Sequence, residues 1–234
     1  MIPWLTEPDF PPLERALAEP NGLLAAGGAL GPTWLLSAYR RGIFPWFSDG
    51  EPVLWWSPDP RMILRPGQLR ITRSLARTLR RGAFELRVDT AFADVIHACA
   101  HLRAETSGTW ITPRMIRAYC DLHELGYAHS VESWQEGRLV GGLYGIALDR
   151  AFFGESMFST VSDASKVALV HLAGHLERRG FGVIDCQMTT AHLRSMGGIE
   201  IPRAQFAREL AELIGPAPAP QDWSAEHIEP EGGR

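Results

Sequence analysis

His129-Ser130-Val131-Glu132-Ser133-Trp134, Arg138-Leu139-Val140-Gly141-Gly142-Leu143-Tyr144-Gly145-Ile146-Ala147 and Ala151-Phe152-Phe153-Gly154-Glu155-Ser156-Met157-Phe158 decide the fold. All three read as strands. The segments between them, Gln135-Glu136-Gly137 and Leu148-Asp149-Arg150, are compatible with hairpin turns. Downstream the pattern changes. Ser162 or Asp163 caps a helix that runs to about Arg179 and is stopped by Gly180. A short buried strand over 183–188, a short helix over 190–196 and an amphipathic helix over 203–214 follow. A β-meander followed by helix, strand and helix predicts an α+β (mixed α/β) fold.

Working outward, the first sixty residues are broken by turns at Pro20-Asn21-Gly22, Gly27-Gly28, Gly31-Pro32, Phe44-Pro45-Trp46 and Ser57-Pro58-Asp59-Pro60. Two short helices fit between them, over 12–18 and 32–40. The expected organisation is a small irregular N-terminal domain over 1–60 and a larger domain over 61–214. The tail over 215–234, rich in Pro, Ala and Glu, is expected to be disordered. Between 61 and the meander lie a helix over 68–81, an extended piece over 84–88 and helices over 91–101 and 113–125, the last closed by Gly126. The layout of 61–214, a central and mostly antiparallel sheet flanked by helices, resembles the acyl-CoA N-acyltransferase (GNAT) fold. That likeness is one of topology and does not give function.

Composition sets bounds. With 45% hydrophobic and 21% charged residues, the 234-residue chain is an ordinary globular protein. Its net charge of −4 gives no reason to expect a nucleic-acid partner, so any such partner needs a local basic patch. Cys99, Cys120 and Cys186 have no framework spacing, which suits a reducing compartment. Met1 to Phe10 lacks the basic and apolar regions of a signal peptide. The uncharged stretch over 20–39 is interrupted by four Gly and two Pro and does not read as a membrane span. A cytoplasmic protein without membrane contact is expected.

Several groups of residues invite a chemical reading. Asp185 sits in the apolar run Val183-Ile184-Asp185-Cys186-Gln187, where an acid is costly to bury alone. It either pairs with an arginine or faces a cleft. On a continuing strand Gln187 shares its face, and the two together would orient an amine, while Ile184 and Cys186 point the other way. Glu155 is a second carboxylate inside an apolar strand, expected to share a face with Phe153 and Met157. It holds a cationic group or a buried ion pair. Gly154-Glu155-Ser156 begins like a nucleophile elbow but meets Phe158 where glycine is required. His97/His101 and His171/His175 have helical spacing but lack the Glu of a zinc helix, so no metal and no cofactor are expected. Arg70, Arg73, Arg77, Arg80 and Arg81 fall on one helical arc with no acid among them. Such an arc is either a solvated face or a phosphate-binding surface, and clustered like charges favour the phosphates. Trp46, Trp55, Trp56 and Trp110 are aromatic faces suited to stacking on bases or to packing a domain seam.

A family resemblance joins these residues. Pro20-Asn21-Gly22-Leu23-Leu24, Arg41-Gly42-Ile43-Phe44-Pro45-Trp46-Phe47 and Trp55-Trp56-Ser57-Pro58-Asp59-Pro60-Arg61 resemble the N-terminal domain of the bacterial leucyl/phenylalanyl-tRNA–protein transferases. Gly108-Thr109-Trp110-Ile111, Gly141-Gly142-Leu143-Tyr144-Gly145, Gly154-Glu155-Ser156-Met157-Phe158-Ser159, Asp163-Ala164-Ser165-Lys166 and Ile184-Asp185-Cys186-Gln187 follow in the family's order. The resemblance covers roughly residues 8 to 210. It implies transfer of Leu or Phe, and Met less well, from aminoacyl-tRNA to the α-amine of proteins that begin with Arg or Lys, creating an N-degron. It implies a GNAT-like catalytic domain with Asp185, Gln187 and Glu155 at the reaction. Leu143, Phe152, Leu172 and Ile184 would form the aminoacyl pocket, and Tyr39, Trp46 and Trp110 would lie near the tRNA 3′ end. The arginine helix would lie on the tRNA backbone. This chain departs from some members at Leu143 and Leu172.

Two other functions compete. A CoA-dependent N-acyltransferase on the same fold would need a glycine-rich turn at the start of the long helix, but Phe158-Ser159-Thr160-Val161-Ser162-Asp163 has no glycine and ends on an acid. A non-catalytic RNA-binding protein would explain the arginines but not the carboxylates at 155 and 185.

Overall fold

A computed structural model describes residues 2–106 and 109–223. Gly108 and the tail from 224 onward therefore lie outside the described residues. Strands β1 (Trp4–Leu5), β2 (Leu23–Gly27), β3 (Phe44–Pro45) and β4 (Leu54–Trp56) form a four-stranded sheet in the order β1-β2-β4-β3, with helix α1 (Pro32–Tyr39) between β2 and β3. These strands are too short for alternation to reveal, and the sequence suggested only loops there. The helix expected over 12–18 is a single 3-10 turn, Leu13–Arg15, none of it buried. Leu13 and Ala16 pack against the core, but a segment this short does not sustain a helix on its own.

Strand β5 (Arg61–Leu64) opens the second sheet. Helix α2 (Arg73–Arg81), strand β6 (Glu85–Val88), helix α3 (Phe92–Thr106) and helix α4 (Pro113–Glu124) follow, and then the meander β7 (Ala128–Gln135), β8 (Arg138–Leu148) and β9 (Ala151–Ser159). Helix α5 (Ala164–Arg178), strand β10 (Val183–Asp185), helix α6 (Ala191–Ser195), strand β11 (Ile199–Ile201) and helix α7 (Arg203–Leu213) complete the fold. The seven strands run β11-β5-β10-β9-β8-β7-β6, and all neighbours are antiparallel except β10 beside β9. The fold is mixed α/β with a mostly antiparallel central sheet. Helix α5 packs on β7 and β8 over one apolar cluster, which includes Leu143, Phe152, Leu172 and Ile184. Helices α3 and α4, with the N-terminal sheet, pack over the other.

Four sequence expectations are corrected. The basic helix begins at Arg73, not at 68: Pro66–Gln68 is a 3-10 turn, and Thr72 caps α2 by accepting a hydrogen bond from the Leu75 amide. Arg70 therefore precedes the helix. Strand β10 ends at Asp185, because Gln187 turns into the left-handed region at φ 55°. The alternation that grouped Asp185 with Gln187 does not survive that turn. In β9 a bulge intervenes: Tyr144 pairs with Ser156, but Gly145 pairs with Gly154, leaving Glu155 as the extra residue. The bulge reverses the alternation, so Phe153 packs in the cluster under α3 and α4, while Met157 joins the cluster under α5. A side chain at Gly145 would collide with the Phe153 carbonyl and the Phe152 ring, so the bulge needs glycine opposite it. Finally, residues 215–223 pack against the body. Gly215 N–H donates to Asp149 Oδ2 at 2.7 Å, Gln221 N–H to the Gly126 carbonyl at 2.8 Å, and Trp223 is 1% exposed.

Candidate active site

Strands β8, β9 and β10 contribute residues to the lining of a cavity of about 420 Å³. Its floor and walls include Leu143 from β8, Phe152 and Met157 from β9, Leu169 and Leu172 from α5, and Ile184 from β10. All four residues expected to form the aminoacyl pocket line it. Trp46, just after β3, and Trp110, just before α4, also line it. Trp46 is 37% exposed, and the Trp56 indole N–H donates to its carbonyl at 2.7 Å. The cavity is therefore greasy inside and has two indoles among its lining residues.

Tyr39 is different. It is fully buried and meets the site through its hydroxyl rather than through an exposed ring face. Its hydroxyl lies 2.7 Å from Glu155 Oε1, the Tyr119 hydroxyl lies 2.8 Å from Glu155 Oε2, and the two hydroxyls are 2.5 Å apart. Three oxygen–oxygen contacts close a ring. Two hydroxyl protons serve only two of its edges, and a proton on the carboxyl serves the third. Burial pushes the Glu155 carboxyl up to about 7, against the pull of the two tyrosine hydrogen bonds, with the Asp185 charge adding to the rise. Burial also raises Tyr39, Tyr119 and Tyr144 well above the ordinary tyrosine value, so their hydroxyls stay protonated. Glu155 is thus a carboxyl in the cavity wall that gains or loses its proton near neutral pH.

Gln187 lines the same cavity, and its side-chain amide lies 3.4 Å from Glu155 Oε1. Asp185 does not line it. Of the two alternatives the sequence left open, the arginine pair is the one found: Arg61 Nε and Nη2 both donate to Asp185 at 2.7 Å, and both side chains are essentially unexposed. Phe44 and Phe206 flank the guanidinium at 4.9 and 4.7 Å. Asp185 Oδ1 also accepts the Gln187 backbone N–H at 3.0 Å, which secures the left-handed turn that carries Gln187 into the cavity. Asp185 therefore reaches the site through Gln187. Cys186 lines the cavity, but burial, reinforced by Asp185, pushes its thiol far above the usual range, so thiolate is scarce.

The sequence reading missed Arg61 and Tyr119 as site residues. Arg61 follows Pro60 in a quoted motif and lies in the all-buried run Arg61–Leu64, where a charge needs a partner. Tyr119 shares the buried side of α4 with Met115, Ala118 and Leu122, and nothing in its spacing separates it from ordinary core.

Helix α2 and the residues just before it are basic. Arg70, Arg73, Arg77, Arg80 and Arg81 are exposed, and none has an ion pair among the described residues. Leu75 and Leu79 tie α2 to the apolar cluster that holds the four pocket residues, and Thr78 donates to Asp163 at the start of α5 at 3.2 Å. His171 and His175 are buried on the inner side of α5, and burial lowers His171 to about 4. Among the described residues no three His, Cys, Asp or Glu side chains form a metal-sized group, and no helix is long and apolar enough to cross a membrane.

A largely apolar cavity with a carboxyl shifted towards neutrality in its wall, and an arginine-faced helix on a mixed sheet, suit a group-transfer enzyme. Comparison with known proteins gives the family. The model described as leucyl/phenylalanyl-tRNA protein transferase matches residues 63–211, and the model of that transferase's N-terminal domain matches 28–59. The chain is 67% identical to a leucyl/phenylalanyl-tRNA–protein transferase of Aromatoleum aromaticum, covering 97% of this chain and 96% of that one. It is 69% identical to one of an Azoarcus species, covering 96% of each. The chain belongs to the leucyl/phenylalanyl-tRNA–protein transferase family and is an aminoacyltransferase. Among solved structures, a ribosomal-protein-alanine N-acetyltransferase from Brucella melitensis aligns with a TM-score of 0.35 at 19% identity, over 62% of this chain and 97% of that one. A likeness that remote carries no argument about chemistry.

Proposed function

We propose that this aminoacyltransferase moves Leu or Phe, and Met less well, from tRNA to the α-amine of proteins that begin with Arg or Lys. The product would be an N-degron, made in the cytoplasm. The observation that carries the proposal is the cavity. Its lining includes Leu143, Phe152, Leu172 and Ile184, with the Glu155 carboxyl and the Gln187 carboxamide in its wall. A branched or aromatic donor side chain fits such a space, and its mostly apolar lining favours one over a charged side chain, which would lose hydration there.

The reaction is aminolysis of an ester. The acceptor nitrogen bonds to the aminoacyl carbonyl carbon, and the bond from that carbon to the ribose oxygen breaks. The amine gives up a proton, and the leaving ribose oxygen gains one. An α-amine with an ordinary pKa of about 7.7–8.0 is partly neutral at pH 7, so the site has mainly to position it and take its proton. Glu155, held near 7 by burial, suits the proton-accepting role, and the Gln187 carboxamide orients the amine. Asp185, bound to Arg61, is assigned to holding the Gln187 turn rather than to taking the proton. Trp46 and Trp110 offer stacking faces to the tRNA 3′ end, and the α2 arginines offer charge to its backbone.

The test is transfer from Leu-, Phe-, Met- and Lys-tRNA to peptides starting with Arg, Lys or Ala, with labelled acetyl-CoA as an alternative donor. Product is expected from the first three donors on Arg and Lys peptides. Transfer from Lys-tRNA, or from acetyl-CoA alone, would overturn the assignment.

A further inference from the structure

The segment after α7 lies beyond residue 211, where the match to the family model ends, yet it packs against Phe152, which lines the donor cavity. It is tied down along its length. Asp149 receives Gly215 N–H at 2.7 Å and, through its carbonyl, the Gln221 carboxamide at 2.9 Å. Tyr127 donates to the Pro218 carbonyl at 3.2 Å, and Gln221 N–H donates to Gly126 at 2.8 Å. These bonds deliver Trp223 into the apolar cluster that contains the four pocket residues.

There the indole is gripped. The His129 ring stacks on it at 4.1 Å and 9°, and His129 is itself fixed by Asp89 at 2.7 Å. His175 lies 4.5 Å away, and the Arg179 guanidinium stands over the ring at 5.8 Å. Trp223 in turn stacks on Phe152, with centroids 5.9 Å apart and planes at 24°. Phe152 is the residue that touches both the indole and the cavity. Its ring packs over Gly145, in the space that a side chain there would occupy.

We infer that Trp223 is a positioning residue for donor choice: the C-terminal segment backs the Phe152 ring and so sets the depth of the aminoacyl pocket. The inference rests on the transferase reading above. Truncating Trp223 leaves space behind Phe152, and a ring with space behind it yields to a larger guest. Pocket shape discriminates by about 10–200-fold per methylene in an apolar site, so partial yielding changes donor ratios measurably.

The experiment compares kcat/KM for Leu-tRNA and Phe-tRNA on one Arg-starting peptide, using full-length wild type, Trp223→Phe, Trp223→Leu and Trp223→Ala. The Phe:Leu ratio is expected to rise about fivefold or more in Trp223→Ala, less in Trp223→Leu, and to stay near wild type in Trp223→Phe. If Trp223→Ala does not fold, Trp223→Leu decides on the same criterion with a threshold of about twofold. Equal loss on both donors would mean that the indole only supports the fold, and an unchanged ratio with unchanged rates would mean that it does not reach the pocket. Either result overturns the inference while leaving the transferase reading intact. Wild type inactive with both donors would overturn the transferase reading and the inference with it.

Discussion

Glu155→Gln removes the cavity's titratable proton while keeping its shape. The carboxyl is shifted from an ordinary 4.5 up to about 7, chiefly by burial. A shift of that size corresponds to about 3 kcal/mol. The sign follows from linkage. The folded-state pKa lies above the unfolded one, so the group's contribution to stability is fully present below about pH 4.5 and is lost as pH rises through 7. Urea unfolding of wild type and Glu155→Gln between pH 4.5 and 8 is therefore expected to diverge, with the variant gaining up to about 3 kcal/mol relative to wild type at the alkaline end. The carboxamide can still accept from one tyrosine and donate to the other, so the fold is retained. Activity should move the other way. Wild-type kcat/KM is expected to rise through an inflection near pH 7 and through the acceptor amine's own inflection at about 7.7–8.0. In Glu155→Gln the rate should fall by about 10²–10⁴, with only the amine's inflection left. A variant within tenfold of wild type that keeps both inflections would refute the assignment of Glu155 as proton acceptor.

Asp185→Ala leaves the Arg61 guanidinium buried without its partner and should cost about 3–5 kcal/mol by urea unfolding, whereas Arg61→Met with Asp185→Leu should recover most of it. Recovered stability with normal transfer in that double variant would remove the pair from the positioning of Gln187. Neutralising Arg73, Arg77, Arg80 and Arg81 singly to Gln should weaken aminoacyl-tRNA binding, with each true phosphate contact lowering the slope of log affinity against log salt by roughly one and leaving thermal stability unchanged. An unchanged slope in all four would refute the backbone contact. Trp46→Ala should raise the KM for the donor by an amount equivalent to about 1–3 kcal/mol of lost stacking, with little change in kcat; an unaltered KM would place the tRNA end elsewhere.

Legibility in the sequence followed element length and periodicity. The meander, α5 and α7 are long enough for their patterns to show, and the four pocket residues were reached through the family resemblance on that frame. The two- to five-residue strands of the N-terminal sheet carry too few alternations to register. Local alternation failed at Glu155 and Gln187, where a bulge and a left-handed turn reverse or end the strand's period. Those irregularities bring both side chains into the cavity wall. Tyr39 and Trp223 illustrate a different limit. Their roles depend on contacts with Glu155, 116 residues away, and with Phe152, distant in the chain, and no local pattern encodes contacts of that kind.

A structure of the enzyme with a non-hydrolysable phenylalanyl-adenosine amide bound would bear most directly on the whole account. The phenyl ring should lie against Phe152, Leu172 and Ile184, the adenine should rest on Trp46 or Trp110, and the carbonyl should face Glu155 and Gln187 with room for one amine nitrogen between them. A phenyl ring outside this cavity, or a carbonyl turned away from Glu155, would contradict it.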